Sequence, residues 1–241
     1  MRARTPLEAE IARLREEVCA LHAELTRYGL VVWTAGNVSG RVPGADLMVI
    51  KPSGVSYQDL APELMVVTDL QGVPVDSLSE NSPTGKDRGE WGNPGLSPSS
   101  DVAAHAYVYR HLPGVGGVVH THSTYATAWA ARGEPIPCVL TMMGDEFGGE
   151  IPVGPFALIG DDSIGRGIVE TLRGSNSPAV LMQNHGPFTI GPTPRDAVKA
   201  AAMCEEVART VHIARQLGEP LPIAPEHIAS LHARYQNVYG R

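Results

Sequence analysis

The chain reads as an α/β protein in which helices cover both faces of a sheet. Two observations predict this. The first stretch carries apolar residues at helical spacing, and from Leu30 onward short Val- and Ile-rich runs alternate with helical segments across Gly, Pro and Ser turns. At 241 residues the chain is long enough to bury a full core, and one domain over 1–241 is expected.

Thr5-Pro6-Leu7-Glu8 opens the first helix, with Thr5 as N-cap, Pro6 at the first helical position and Glu8 closing a capping box. Leu7, Ile11, Leu14, Val18, Leu21 and Leu25 follow at helical steps, and the helix is expected to end near Gly29. Strands are expected over Leu30–Thr34, Leu47–Lys51, Met65–Asp69, Val115–His122, Phe156–Ile159 and Ala179–Gln183. Further helices are expected over Asp101–Leu112, Ser163–Leu172 and Pro194–Leu217, the last stopped by Gly218, and from Pro225 onward past His227 and His232. Between Ser77 and Pro98 the chain is rich in Gly, Pro, Ser, Asn and charge without an apolar period, which predicts a flexible surface loop.

Acidic residues outnumber basic ones by 26 to 19, a formal charge of −7 with no Lys/Arg block, which argues against a nucleic-acid partner. No apolar run reaches membrane-spanning length, and the N-terminal arginines precede an acidic amphipathic stretch rather than a signal sequence. A soluble, cytoplasmic protein is expected. Cys19, Cys138 and Cys204 lie apart in apolar contexts and read as buried thiols of a reducing compartment.

The chemistry begins at His120-Thr121-His122. On a strand, residues two apart share a face, so both imidazoles point the same way, a spacing that suits a metal ion. The competing reading is two strand-end histidines bonded to carbonyls. His185, in Gln183-Asn184-His185-Gly186-Pro187, sits where another apolar strand breaks into a Gly-Pro turn and supplies a third imidazole. Asp101, at a helix start shortly before the His-x-His strand, offers a fourth metal ligand or a base; equally, it reads as a first-turn acid offsetting the helix dipole. Ser99 and Ser100 precede the same helix start, where free backbone N–H groups suit an anion.

Lys51-Pro52-Ser53-Gly54 is a turn that lets backbone amides approach a phosphate while Lys51 offers charge, although Pro-Ser-Gly is also an ordinary turn. Asn37, in Ala35-Gly36-Asn37-Val38-Ser39, either bonds a ligand or caps a turn. Asp145 is an acid flanked by flexible residues, and Tyr239 is a phenol near the chain end. These residues point to a zinc-dependent enzyme acting on a small phosphorylated molecule, with the reaction unnamed.

Ala35-Gly36-Asn37-Val38-Ser39, Ile50-Lys51-Pro52-Ser53-Gly54-Val55, Pro98-Ser99-Ser100-Asp101, Gly116-Gly117-Val118-Val119-His120-Thr121-His122-Ser123, Asn184-His185-Gly186-Pro187-Phe188 and Tyr239-Gly240 occur in this order. In them the chain resembles the class II aldolase/epimerase superfamily, and most of all its pentulose-phosphate 4-epimerases, over nearly the whole sequence. The resemblance implies a three-layer α/β/α fold with a central, mostly antiparallel sheet, a C4 homotetramer and a metal site near subunit interfaces. It implies that His120, His122 and His185 hold one zinc ion per subunit with Asp101 beside them, manganese or cobalt being alternatives. It places Asn37, Lys51, Ser53, Gly54, Ser99 and Ser100 in the substrate and phosphate pocket. Asp145 and Tyr239 match an acid/base pair, the tyrosine reaching in from a neighbouring subunit, and Thr141 and His227 match supporting positions.

The fuculose-phosphate aldolase branch is similar but carries glutamate where this chain has Asp101. By resemblance, then, the expected reaction is zinc-dependent conversion of L-ribulose 5-phosphate to D-xylulose 5-phosphate through retro-aldol cleavage of C3–C4 and re-addition. An aldolase acting on another phosphorylated sugar such as L-fuculose 1-phosphate is the alternative, and a non-catalytic scaffold of the adducin kind is a third reading.

Overall fold

The computed structural model describes residues 5–75 and 95–239, Tyr239 by its backbone alone. Helix α1 spans Pro6–Arg27, and its start is as expected: Glu8 N–H donates to Thr5 Oγ1 and Thr5 N–H donates to the Glu8 carboxylate, a closed capping box. It buries Ile11, Leu14, Val18, Leu21 and Leu25, the helical stripe of the sequence. Strands β1 (Asn37–Arg41), β2 (Leu47–Ile50) and β3 (Val66–Asp69) follow, then α2 (Val102–His111), β4 (Gly117–His120), α3 (Thr124–Arg132), α4 (Thr141–Phe147) and β5 (Val153–Gly154). The chain continues through α5 (Ser163–Leu172), β6 (Ala179–Met182), β7 (Gly186–Gly191), α6 (Pro194–Leu217) and α7 (Pro225–Arg234), and a π-helical turn, Tyr235–Tyr239, ends the described part.

The strands form one seven-stranded sheet in the order β3-β2-β1-β4-β7-β6-β5, antiparallel except for β5 beside β6. Neighbouring residues along a strand face opposite layers. Val119 packs with Leu14, Val18 and Leu25 of α1 and Ala197 of α6, whereas Val118 packs with Val108 of α2 and Ile168 of α5. Leu181 joins Trp129 of α3, Phe147 of α4 and Val207 of α6, while Val180 faces the α2–α5 side. The three-layer α/β/α fold with a mostly antiparallel sheet is therefore present.

Several expected elements differ. Leu30–Thr34 is not a strand: Ala35 N–H closes a turn on the Val32 carbonyl, and Trp33 adopts the left-handed conformation with φ 58°, which breaks an extended run. The strand begins instead at Asn37, inside a segment read as a turn. Phe156–Ile159 is also irregular, with Phe156, Leu158 and Ile159 exposed, and the short strand lies just before it, at Val153–Gly154. The strand expected to run to His122 ends at His120, and the Gly-Pro after His185 opens β7 rather than a turn. Asp145 lies on α4, not in a flexible loop. Helices α5 and α6 have the expected limits. The Ser77–Pro98 loop falls, up to residue 94, outside the described residues. Of the three thiols, all free, Cys204 is buried as expected but Cys19 and Cys138 are only half-buried.

His22 ties α1 to the sheet. Its Nδ1 lies 2.7 Å from the Val18 carbonyl, so Nδ1 carries the proton, and its Nε2 accepts the Val38 N–H at 3.0 Å. At the far end of the same strand pair, β4 touches the start of α6. A Cβ on Gly117 would sit 2.4 Å from Pro194 Cα and 2.5 Å from the Thr193 carbonyl oxygen. Those atoms are backbone and cannot give way, so Gly117→Ala is expected to destabilise the protein by on the order of 3 kcal/mol. Urea unfolding checks this, and an unchanged midpoint would contradict the packing described.

Candidate active site

Three strand termini meet at one end of the sheet. The β1–β4 register sets Asn37 opposite His120. The β4–β7 register sets His120 opposite Phe188, whose ring stacks on the imidazole at 4.1 Å between centroids. Ahead of β7, Asn184 takes the left-handed conformation with φ 56°, which asparagine tolerates, and this turn brings His185 back toward His120. His122 lies two residues beyond the strand, in the extended link to α3, and still meets His120 with Nε2 to Nε2 at 3.0 Å.

One ligand nitrogen from each of His120, His122 and His185 can be chosen so that all lie within 4.8 Å of one another. Metal–nitrogen bonds of about 2.0–2.1 Å around a tetrahedral centre place ligand nitrogens roughly 3.3 Å apart, so this spacing fits a single divalent ion. His120 Nδ1 lies 3.1 Å from the Pro187 carbonyl, which can only accept; the proton is on Nδ1 and the Nε2 lone pair is turned to His122. Burial pushes His120 down to about 3, and burial likewise lowers His122 and His185, so all three are neutral donors at physiological pH.

Asp101 stands beside this cluster. It precedes α2 but makes no capping bond with its side chain. One carboxylate oxygen accepts from Asn37 Nδ2 at 2.7 Å, while Oδ1 is buried without a hydrogen-bond partner among the described residues. Burial opposes its ionisation, yet attraction to His120, His105 and His185 in their protonated forms and the Asn37 bond hold its carboxyl below the usual range. An orphaned, ionised, buried oxygen next to three neutral imidazoles is what an added cation would satisfy.

The segment leading to Asp101 is stitched along the turn after β2. Ser53 N–H donates to the Ser97 carbonyl and Ser99 N–H to the Lys51 carbonyl, each at 2.9 Å, and Asn37 Nδ2 also reaches Ser99 Oγ at 2.9 Å. Asn37, Lys51, Ser53 and Ser99 are thus joined by hydrogen bonds along the segment that leads to Asp101, with Gly54 and Ser100 next to them in the chain. Lys51 is buried, its Nζ directed at the Thr34 and Pro52 carbonyls and over the Tyr57 ring, and burial lowers its pKa. Ser53, Gly54 and Ser100 remain exposed.

The other expected residues are elsewhere in the chain. Thr141 and Asp145 are on α4 and an exposed His227 is on α7, and these two helices pack on each other. The charge that acts on all three cluster imidazoles is that of Asp101. The expectation for the Tyr239 hydroxyl lies outside the described residues. Motif reading missed a polar string behind Asp101: Ser39 Oγ lies 2.7 Å from both His105 Nδ1 and Tyr109 Oη, all three buried. The signal available was the spacing Asp101, His105, Tyr109, one face of a helix at four-residue steps.

The family described as Class II Aldolase and Adducin N-terminal domain matches residues 16–212. The chain belongs to this family. It is 37% identical over 233 residues, 91% of this chain and 93% of the relative, to L-ribulose-5-phosphate 4-epimerase UlaF of Salmonella paratyphi C (strain RKS4594), a kinship that places it among the enzymes of the family. Among solved structures, YgbL of Klebsiella pneumoniae, a putative aldolase/epimerase/decarboxylase, is 28% identical with a TM-score of 0.73, covering 92% of this chain and 99% of that one. An L-fuculose 1-phosphate aldolase, 24% identical, shares the fold with a TM-score of 0.81 over 93% of this chain and 96% of its own.

Two outcomes are expected of this geometry. Asn37→Ala removes the bond that orients Asp101 and is expected to weaken divalent-metal binding by about 10–100-fold, read by competition with a chromogenic chelator; unaltered affinity would contradict the role of Asn37. Burial also depresses His22 to about 3 and His105 to about 4. Unfolded histidine binds a proton near pH 6.5, so between pH 6.5 and about 4 the unfolded state holds more protons and stability falls with pH, by up to roughly 1.4 kcal/mol per unit for each histidine. Urea unfolding in chelator should show full stability above pH 6.5 and a decline below it; a flat profile down to pH 5 would refute the neutral, buried assignment.

Proposed function

We propose that this chain is a zinc-dependent epimerase that interconverts L-ribulose 5-phosphate and D-xylulose 5-phosphate by breaking and re-forming the C3–C4 bond. The observation that carries this reading is the three-histidine cluster with buried Asp101 beside it, in a chain 37% identical to an L-ribulose-5-phosphate 4-epimerase. His120, His122 and His185, with Asp101, would hold the ion, which when bound supplies Lewis-acid polarisation of the ketose carbonyl.

The protein's own groups do the rest. Lys51, buried with its Nζ directed at two carbonyls and a ring, gains an anionic partner in the substrate phosphate, with Ser53, Gly54, Ser99 and Ser100 closing around it. Asn37 fixes Asp101 and lies beside His120, where a sugar hydroxyl can reach it. Asp145 and Tyr239 act as the acid/base pair: one removes the C4 hydroxyl proton, C3–C4 breaks with its electron pair left on C3, and the phosphorylated aldehyde turns over within the pocket. Addition of C3 to its opposite face restores the bond, and the other residue returns a proton to the C4 oxygen. Thr141 and His227 flank this pair. Within one chain α4, α7 and the turn that ends at Tyr239 pack on one another, which supports a C4 homotetramer in which a neighbouring subunit supplies Asp145 together with Tyr239, rather than the tyrosine alone, to each site. Three free thiols agree with a cytoplasmic location.

Zinc-loaded protein incubated with L-ribulose 5-phosphate is expected to form D-xylulose 5-phosphate without releasing glycolaldehyde phosphate. Accumulated aldehyde would mean a lyase, and no turnover would refute the reading. Tyr239→Phe is expected to lower kcat by about 10²-fold or more with bound zinc unchanged, the scale of a lost acid/base group; loss of the metal in that variant would overturn the assignment.

A further inference from the structure

We propose that Glu146, Lys199 and Tyr235 form a positioning clamp that holds the helix bearing Asp145 and the turn bearing Tyr239 as one rigid unit, an inference that rests on the acid/base roles given above. None of the three is part of the metal cluster or of the phosphate turns. Their importance lies in what they join.

Glu146 follows Asp145 on α4 and is turned into the protein, where it is only 5% exposed. Its Oε2 lies 3.2 Å from Lys199 Nζ on α6, an ion pair without hydrogen-bond alignment, since that oxygen has no hydrogen-bond partner. Lys199 Nζ lies 3.4 Å from Tyr235 Oη and 5.3 Å from the centre of the Tyr235 ring. Tyr235 begins the π-helical turn that ends at Tyr239, so one lysine on the long helix connects the Asp145 helix to the Tyr239 turn.

The surrounding contacts reinforce the same join. His232 Nδ1 donates to the Asp145 carbonyl at 3.0 Å, and Leu231 lies directly over Gly144. Burial, with Glu146 beside it, raises the Tyr235 phenol, which therefore stays protonated and can donate to a carboxylate. Glu146, Lys199 and Gln236 also line a cleft of about 820 Å³ with the link leading into β4 and the end of β7, the sheet end away from His120. The unit is thus anchored away from its own chain's imidazoles, as a part presented to a neighbour must be. An acid and a base that act on opposite faces of one aldehyde need a fixed separation, and a displacement of about 1 Å costs on the order of 10²-fold in rate.

Removing Lys199 alone would strand a buried carboxylate and destabilise the fold generally. The test therefore uses Tyr235→Phe, which leaves the ion pair, and the double variant Glu146→Gln/Lys199→Met, which removes both charges. With L-ribulose 5-phosphate, Tyr235→Phe is expected to lower kcat about tenfold and the double variant about 10²-fold, with KM and bound zinc within about twofold of wild type. Lys199→Arg, which keeps the charge, should retain most of kcat. Amide hydrogen exchange over residues 230–239 should quicken by about tenfold or more in the double variant while the β4 amides stay protected. Unchanged kcat and exchange, or a joint fall of kcat, zinc content and thermal midpoint, would overturn the clamp. If the wild type turns over no pentulose phosphate, the proposed reaction fails, and the exchange measurement still decides whether the clamp exists.

Discussion

The pairing of β1 with β4 is the constraint on which the rest depends. In one register it sets Asn37 beside His120, Ser39 opposite Val118 and Gly40 opposite Gly117. A slip of one residue would turn every side chain of β1 to the other face. Asn37 would then leave Asp101, Ser39 would leave His105 and Tyr109, and Val38 would leave the α1 core. Two anchors oppose such a slip. His22 grips the Val38 N–H from α1, and at Gly40 a Cβ would sit 2.7 Å from Leu14 Cδ1, so that position accepts only glycine without rearrangement.

With that register fixed, burial supplies the electrostatics. His120, His105 and His22 are all held neutral by desolvation, which leaves imidazole nitrogens free to accept or to ligate. The Asp101 carboxyl lies below the usual range in the same environment despite its burial, with the Asn37 amide donating to it. A cluster of neutral donors around one stranded negative oxygen is stable enough to preform but incomplete by itself, a balance that couples cation binding to local rigidity. The Ser39–His105–Tyr109 string behind Asp101 adds stiffness without adding charge.

The chemistry is divided between two parts of the fold. The imidazoles, Asp101 and Lys51 sit on strand ends and short turns of the sheet, where main-chain pairing fixes them. The Asp145 helix and the turn that ends at Tyr239 belong to a separate helical patch held by α6 and α7. The proposed ion and phosphate sites tolerate no drift, and the sheet supplies that rigidity. In the proposed assembly the helical patch is presented to a second subunit, so its internal geometry must be secured by its own contacts.

The sequence by itself determined the elements whose signals are local. The capping box and apolar stripe of α1, the Pro194 and Gly218 limits of α6, the span of α5 and strands β2, β3 and β6 all lie where composition and period put them. The imidazoles and Asp101 were legible as donors for the same reason, since residue type and spacing are written in the chain. Only the tertiary structure decided which apolar runs pair. Leu30–Thr34 and Phe156–Ile159 look like strands but are irregular, with Val32, Trp33, Phe156, Leu158 and Ile159 exposed although Leu30 is buried in the core, while β1 and β7, rich in Gly, Pro and polar residues, are central because their neighbours supply the ladder and the burial. Helices α3 and α4 likewise form through packing under α6 and α7, beyond the reach of a local pattern. The difference is physical: caps and periods act within a few residues, whereas strand pairing and the convergence of Asn37, Asp101, His120 and His185 join positions far apart in sequence.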